Sequence, residues 1–261
     1  MKRDKHYILL TIVITLCLQS ACSRTPATEI QTNIASAETI SAAVAESETL
    51  FRKREDIANL RAASAMLSKF RQPDHRSFDV EWHYSRICYF LGLGATDEKE
   101  KQTAFEKGRD AGRIAANMQP EKPDGHFWYG ANLGELARMN PVTVGLQSVD
   151  DIRAEMNKVI ELDPRYQNTA AYDVLAQVEL GTTMFGGSAE KAVELLEKAL
   201  TLEKDNAQVR LHLGQAYLAA RREKDARAQL EAVVKMTPDP EYLPEHATCV
   251  AEASKLLKTK F

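Results

Sequence analysis

The chain lacks most of what would give it chemistry. In 261 residues it has two tryptophans, four cysteines and six histidines. It has no Walker A loop and no H-E-x-x-H pair. The stretch GGSAE at 186–190 does not have the G-x-S-x-G order of a nucleophile elbow. GLGA at 92–95 sits between helical patterns and not after a strand, so it fails as a dinucleotide loop. His6, His75, His83, His126, His212 and His246 are scattered, and no two have metal-ligand spacing on one helix turn. No catalytic residue, metal site or cofactor is expected. Strands are not expected either. Val and Ile are dispersed, and after residue 45 the chain is dominated by Ala, Leu, Glu, Lys and Arg, which lose least on entering a helix.

Long apolar runs are missing too. The stretch Tyr7 to Leu18 is about twelve residues, against the roughly 20 a transmembrane helix needs. Behind Lys2, Arg3 and Lys5 it reads as a secretory signal over residues 1–21. Ser20 and Ala21 directly before Cys22 resemble the lipobox of bacterial lipoproteins, although Gln19 stands where that motif usually has Leu. The resemblance implies cleavage before Cys22 and lipidation of its sulfur. A plain signal peptide with Cys22 incidental and an uncleaved anchor are the other readings. Residues 1–21 carry net +2, so the remainder is at −5 against −3 for the whole chain. A mildly acidic surface argues against nucleic acid as a partner and against lying flat on an anionic bilayer. Residues 22–45, rich in Ser, Thr and Ala, read as a lipidated tether, with Ile40 and Val44 at a spacing that can already extend the first helix. Cys88 and Cys249 are expected as two separate buried thiols, since an elongated stack would hold them too far apart to pair.

What is present is a repeat. In residues 207–238, Leu213, Gly214, Tyr217, Ala226, Leu230 and Pro238 fall at positions 7, 8, 11, 20, 24 and 32 of a frame of about 34 residues. Gly214 and Ala226 mark the closest approach of two antiparallel helices. Leu213 and Tyr217 share a stripe, and Pro238 ends the second helix. Looser copies end at Pro73, Pro120, Pro164 and Lys204. Their surplus over 34 residues is expected in loops at 94–100, 139–148 and 182–188. This pattern resembles the tetratricopeptide repeat. It implies an all-α solenoid of four or so hairpins over 46–240, in a domain spanning 46–261. A C-terminal helix carrying Val250, Ala253, Leu256 and Leu257 on one side caps it.

GHFWYGANLGELARMN (125–140), IRAEMNKVIELDPRY (152–166) and MFGGSAEKAVELLEKAL (184–200) are more specific. Over roughly 46–240 they resemble the tetratricopeptide lipoproteins typified by TatT, the T component of periplasmic TRAP-transporter systems. The WYG and GGS elements are also similar to the eukaryotic regulator of microtubule dynamics family. The first resemblance implies a non-enzymatic, lipid-anchored adaptor in the bacterial envelope, facing the periplasm. Its partner would be a solute-binding protein, with a small hydrophobic ligand and homo-oligomerisation also in view. The competing reading is a scaffold for envelope or secretion-complex assembly, acting through a peptide groove.

Two clusters are candidates for that groove. His126, Tyr129 and Asn132 lie in an aromatic-rich first helix, where hairpin core is the alternative reading, as it is for Trp128, Trp82 and Tyr89. Gln208, Leu211, Gln215 and Leu218 occupy positions 2, 5, 9 and 12 of the clearest repeat, where polar and apolar groups interleave. Gly186-Gly187 reads either as a permissive turn that makes Ser188 a helix cap or as the hinge of a flap, TTMFGG, over the groove.

Overall fold

Helix follows helix by short links throughout the computed structural model, which describes residues 37–261. The residues read as a signal segment, Cys22 and the expected tether up to residue 36 lie outside the described residues. Five antiparallel hairpins pack in chain order: α1 (Ala37–Phe51) with α2 (Ile57–Ser68), α3 (Phe78–Gly94) with α4 (Glu98–Met118), α5 (Pro123–Met139) with α6 (Leu146–Leu162), α7 (Tyr166–Gly181) with α8 (Ala189–Leu202), and α9 (Ala207–Ala219) with α10 (Glu223–Lys235). Helix α11 (Leu243–Lys260) closes the stack. No strand occurs among the described residues.

Side-chain caps set several of the starts. Asp56 accepts from the Ala58 amide, Asp97 from Glu100, Ser188 from Lys191 and Asn206 from Val209. Pro123 opens α5, where its missing N–H is not needed.

The four or so hairpins expected are five, one for each copy of the repeat, the first ending at Pro73. Its helix α1 begins at Ala37, inside the segment 22–45 read as a tether, where Ile40 and Val44 have the spacing to extend it. Ala43 and Ser47 are buried, and Ile40 and Val44 pack on the first core. The surplus residues also go elsewhere than expected at 94–100. The link there is only three residues, 95–97, and the extra length is taken up as helix, because α4 runs for 21 residues. The other two sites hold irregular structure as expected: a π-helical stretch at Pro141–Gly145 and a 3-10 turn at Thr183–Phe185.

The repeat read most clearly is the one built as read. A Cβ on Gly214 would come within 2.9 Å of the Leu230 side chain and 3.4 Å of the Ala226 carbonyl, so the closest helix contact is where the pattern puts it. Cys88 and Cys249 are free and buried. Burial raises the pKa of each thiol to about 11, which leaves both protonated and unreactive at neutral pH.

A candidate partner-binding surface

The first helices of the hairpins touch one another in sequence, α1 to α3 to α5 to α7 to α9 to α11, whereas the second helices make no comparable contact with each other. The first helices therefore line the inner side of the curve. They run parallel. Phe51 meets Phe90 near the ends of α1 and α3, and Asp124 accepts from the Tyr166 hydroxyl near the starts of α5 and α7.

The inner side is filled by aromatic rings. Phe51 packs edge-on against Phe90 at 5.0 Å, Tyr89 and Phe90 lie 5.5 and 6.1 Å from Trp128, and Phe127 lies 5.4 Å from Tyr166. Two ionic clusters flank this layer. At the N-terminal side Glu48 accepts from His83 and from Arg86, whose guanidinium stacks over Phe51 and Trp82. Burial opposes the charge on Glu48, but the His83 and Arg86 hydrogen bonds and charges prevail and lower its pKa. At the C-terminal side Asp173 accepts from His212 at 2.5 Å and from Gln208 at 3.1 Å.

The seven expected groove residues separate into three groups. Gln208 is exposed on the inner side, held by Asp173, and Gln215 and Leu218 are half-buried on the same helix. Leu211 is buried against Leu230, Val233, Cys249 and Ala253, so it joins α9 to the closing helix. The third group, from α5, is not in the groove. Asn132 is fully buried and donates to the Ser85 and Trp128 carbonyls. His126 and Tyr129 face the second helices. His126 binds Glu155 on α6 at 2.5 Å and the Pro120 carbonyl at 3.0 Å. The Tyr129 backbone lies against Gly112 of α4. The inner positions of α5 are taken instead by Phe127 and Trp128, which are core.

Asp173, His212, Arg54 and Glu245 complete the inner side and were not picked out from the sequence. His212 had a signal, since it follows Gln208 by four residues and so shares its stripe. For His212 burial opposes protonation, but the charge and hydrogen bond of Asp173 outweigh it and raise the pKa. For His126 the Glu155 hydrogen bond raises it. A histidine whose folded pKa is raised adds stability that is complete below the unfolded value, about 6.5. That stability is lost as pH rises through the folded pKa. Melting temperature is therefore expected to fall as pH climbs above about 6.5, and the double variant His126→Gln/His212→Gln to lose most of that slope. An unchanged slope in thermal melts of the double variant would refute the assignment.

Because the first helices are parallel, the turns at their C-terminal ends lie along one edge of the stack. Five large apolar side chains are exposed there: Leu93, Val142, Leu146, Met184 and Phe185. Val142 is 87% exposed, Met184 89% and Phe185 66%. The turn that carries Met184 and Phe185 is fixed at its base. Gly186 takes φ +97°, which favours glycine, and a Cβ on Gly187 would sit 2.3 Å from the Glu179 carbonyl. Glu179 also accepts from the Ser188 amide and from Arg153. The permissive-turn reading of Gly186-Gly187 thus accounts for this geometry, with Ser188 as helix cap.

Among the described residues no cluster of His, Cys, Asp and Glu could hold a metal ion, and no helix is long and apolar enough to cross a membrane. Residues 43–172 match the family described as regulator of microtubule dynamics protein 1-3, and residues 186–244 match the tetratricopeptide repeat. Among solved structures, a thermophilic tetratricopeptide protein of Thermus thermophilus is 18% identical. It covers 81% of this chain and 99% of its own, with a TM-score of 0.58. PilF of Pseudomonas aeruginosa is 15% identical, covering 86% and 92% with a TM-score of 0.57. At these identities the likeness is one of fold. No curated protein matches the chain.

Proposed function

We infer from this chain, a tetratricopeptide-type helical-repeat protein, a non-enzymatic adaptor that binds another protein while held at the bacterial envelope by lipid on Cys22. One observation carries the binding half of this reading. The stack presents turns along one edge whose apolar side chains, Val142, Met184 and Phe185, are exposed among the described residues. Exposed apolar side chains gathered on a rigid edge are what a protein interface would bury. The anchoring half is supported by the basic start, the short apolar run and Ser20-Ala21-Cys22. The sequence resemblance to the T component of TRAP-type systems makes a periplasmic solute-binding protein the partner of choice. A hydrophobic solute would then travel on that partner.

The test is affinity capture from detergent-solubilised envelope, read by mass spectrometry. The expected result is recovery of a solute-binding protein with its permease. Recovery of outer-membrane assembly or secretion components would favour the scaffold reading instead, and recovery of nothing above an empty resin would refute the adaptor. Met184→Ser/Phe185→Ser is expected to weaken capture about tenfold, or about 1.4 kcal/mol. Its stability should shift by less than about 0.5 kcal/mol per site, because both side chains are already in water. Cys22→Ser is expected to move the protein from the membrane fraction to the soluble periplasm and to abolish labelling by a fatty-acid probe. Equal labelling of both forms would refute the anchor.

A further inference from the structure

The first hairpin and the last helix meet across 191 residues of chain at a single guanidinium. Arg54, in the turn after α1, donates from Nε to Oε1 of Glu245 and from Nη2 to Oε2, both at 2.7 Å. The same Nη2 donates to the Glu241 carbonyl at 2.6 Å. The guanidinium carbon lies 4.8 Å from the Phe51 ring centre and 5.6 Å from that of Phe90, and the Arg54 side chain is only 7% exposed. A planar cation held by aromatic rings and binding one carboxylate in a fork is a strong recognition geometry.

The segment that fills this site is lightly held otherwise. Helix α11 docks on α9 and α10 through Cys249, Val250, Ala253, Leu256 and Leu257, all beyond its first turn. Ahead of them Asp239, Pro240, Glu241 and Leu243 are exposed, and Tyr242 and Pro244 are half-buried. Asp239 there caps only its own short turn, through the Glu241 amide. Residues Lys235 to Pro240 border a cleft of about 960 Å³ and not a packed core. Glu245, in the first turn of α11, also keeps a favourable place at a helix N-terminus whether or not Arg54 holds it.

We propose that Arg54, flanked by Phe51 and Phe90, is a recognition site for an acidic helical turn of a partner protein, and that residues 240–245 of this chain occupy it in cis. The pattern bound fixes the chemistry of the partner. It is a backbone carbonyl in a 3-10 turn and, four residues later, a glutamate in the first turn of the helix that follows. A partner offering both would replace the strap bond for bond. The partner contact would then lie on the inner side, next to the aromatic layer, in addition to the outer edge of turns. The proposal rests on the reading of the chain as a protein-binding adaptor, but the two fail separately, one by empty capture and the other by an unbound peptide.

The probe is the fluorescein-labelled peptide DPEYLPEHAT, residues 239–248, with binding read by anisotropy on the full chain. Wild type is expected to bind it weakly. Glu245→Gln, which loosens the strap, is expected to bind it at least tenfold more tightly. The double variant Arg54→Gln/Glu245→Gln is expected to lose that gain, as is a peptide with Gln in place of its second Glu. Binding that ignores Arg54, or none to a Glu245→Gln chain that melts cooperatively, would overturn the proposal. Should Glu245→Gln not fold, hydrogen exchange on wild type decides. Saturating peptide is expected to speed exchange at residues 241–246 and not at 249–257, and no change at 241–246 would overturn the proposal.

Discussion

Trp128→Ala is expected to destabilise the chain by about 3–5 kcal/mol, enough to abolish a cooperative melt in a marginal domain. The side chain is 3% exposed and touches rings from two helices, with Tyr89 at 5.5 Å, Phe90 at 6.1 Å and Phe127 at 4.9 Å. Removing the indole opens a cavity at the middle of the inner layer, where α3 and α5 hold each other. Trp128→Phe separates packing from hydrogen bonding. The indole Nε1 is buried and has no acceptor. Phenylalanine discards that unpartnered donor and keeps a ring, so its cost is expected to stay below about 1.5 kcal/mol. Chemical denaturation of both variants is the measurement. Equal losses would mean that the indole nitrogen has a partner that this packing does not show, and a small loss for Trp128→Ala would place the residue outside the core.

The contrast between α9 and α5 shows how far the sequence could be read. In α9 and α10 the spacing of Leu213, Gly214, Tyr217, Ala226 and Leu230 names the seam directly, because a glycine and an alanine facing each other leave one register for the hairpin. Helix α5 offers no such mark. It lies mid-stack and is covered on both sides, by α3 and α7 within the curve and by α4 and α6 outside it. Its sequence is therefore apolar on most of its circumference, and no polar stripe shows which aromatic points inward. Carrying a groove face onto it assigned His126, Tyr129 and Asn132 to the inner side, while the packing puts Phe127 and Trp128 there. The buried Asn132 shows the same ambiguity. An amide four residues after a tryptophan can line a groove or can satisfy carbonyls between helices, and only the neighbours decide. Arg54 and Glu245 were beyond local reading altogether. Each looks like an ordinary charge in a turn or a first helical turn, and their meeting depends on the curvature that five hairpins accumulate.

The same blindness to neighbours applies to glycine, and one substitution at two sites exposes it. Gly112→Ala and Gly134→Ala both put the better helix former in a helix interior, and propensity alone predicts that each gains about 0.5–1 kcal/mol. The packing predicts opposite signs. A Cβ on Gly134 meets nothing within 4 Å, so that variant is expected to gain the full increment. A Cβ on Gly112 would sit 2.4 Å from the Tyr129 amide nitrogen and 2.7 Å from its Cα, both backbone atoms that no rotamer change can move. Gly125, on α5, meets the α4 backbone just as closely, at 2.2 Å from the Ala116 amide nitrogen. These two glycines let α4 and α5 approach nearly backbone to backbone, and α5 would have to shift bodily to admit a methyl group. Gly112→Ala is therefore expected to cost about 2–3 kcal/mol net of its propensity gain, the upper part of the range for overpacking. Paired urea titrations give both numbers, with equal m-values showing that the comparison is between like unfolding reactions. Stabilisation by both substitutions would mean that α4 and α5 lie further apart than described, and would undo the placement of Asn132 and Tyr129 along with it.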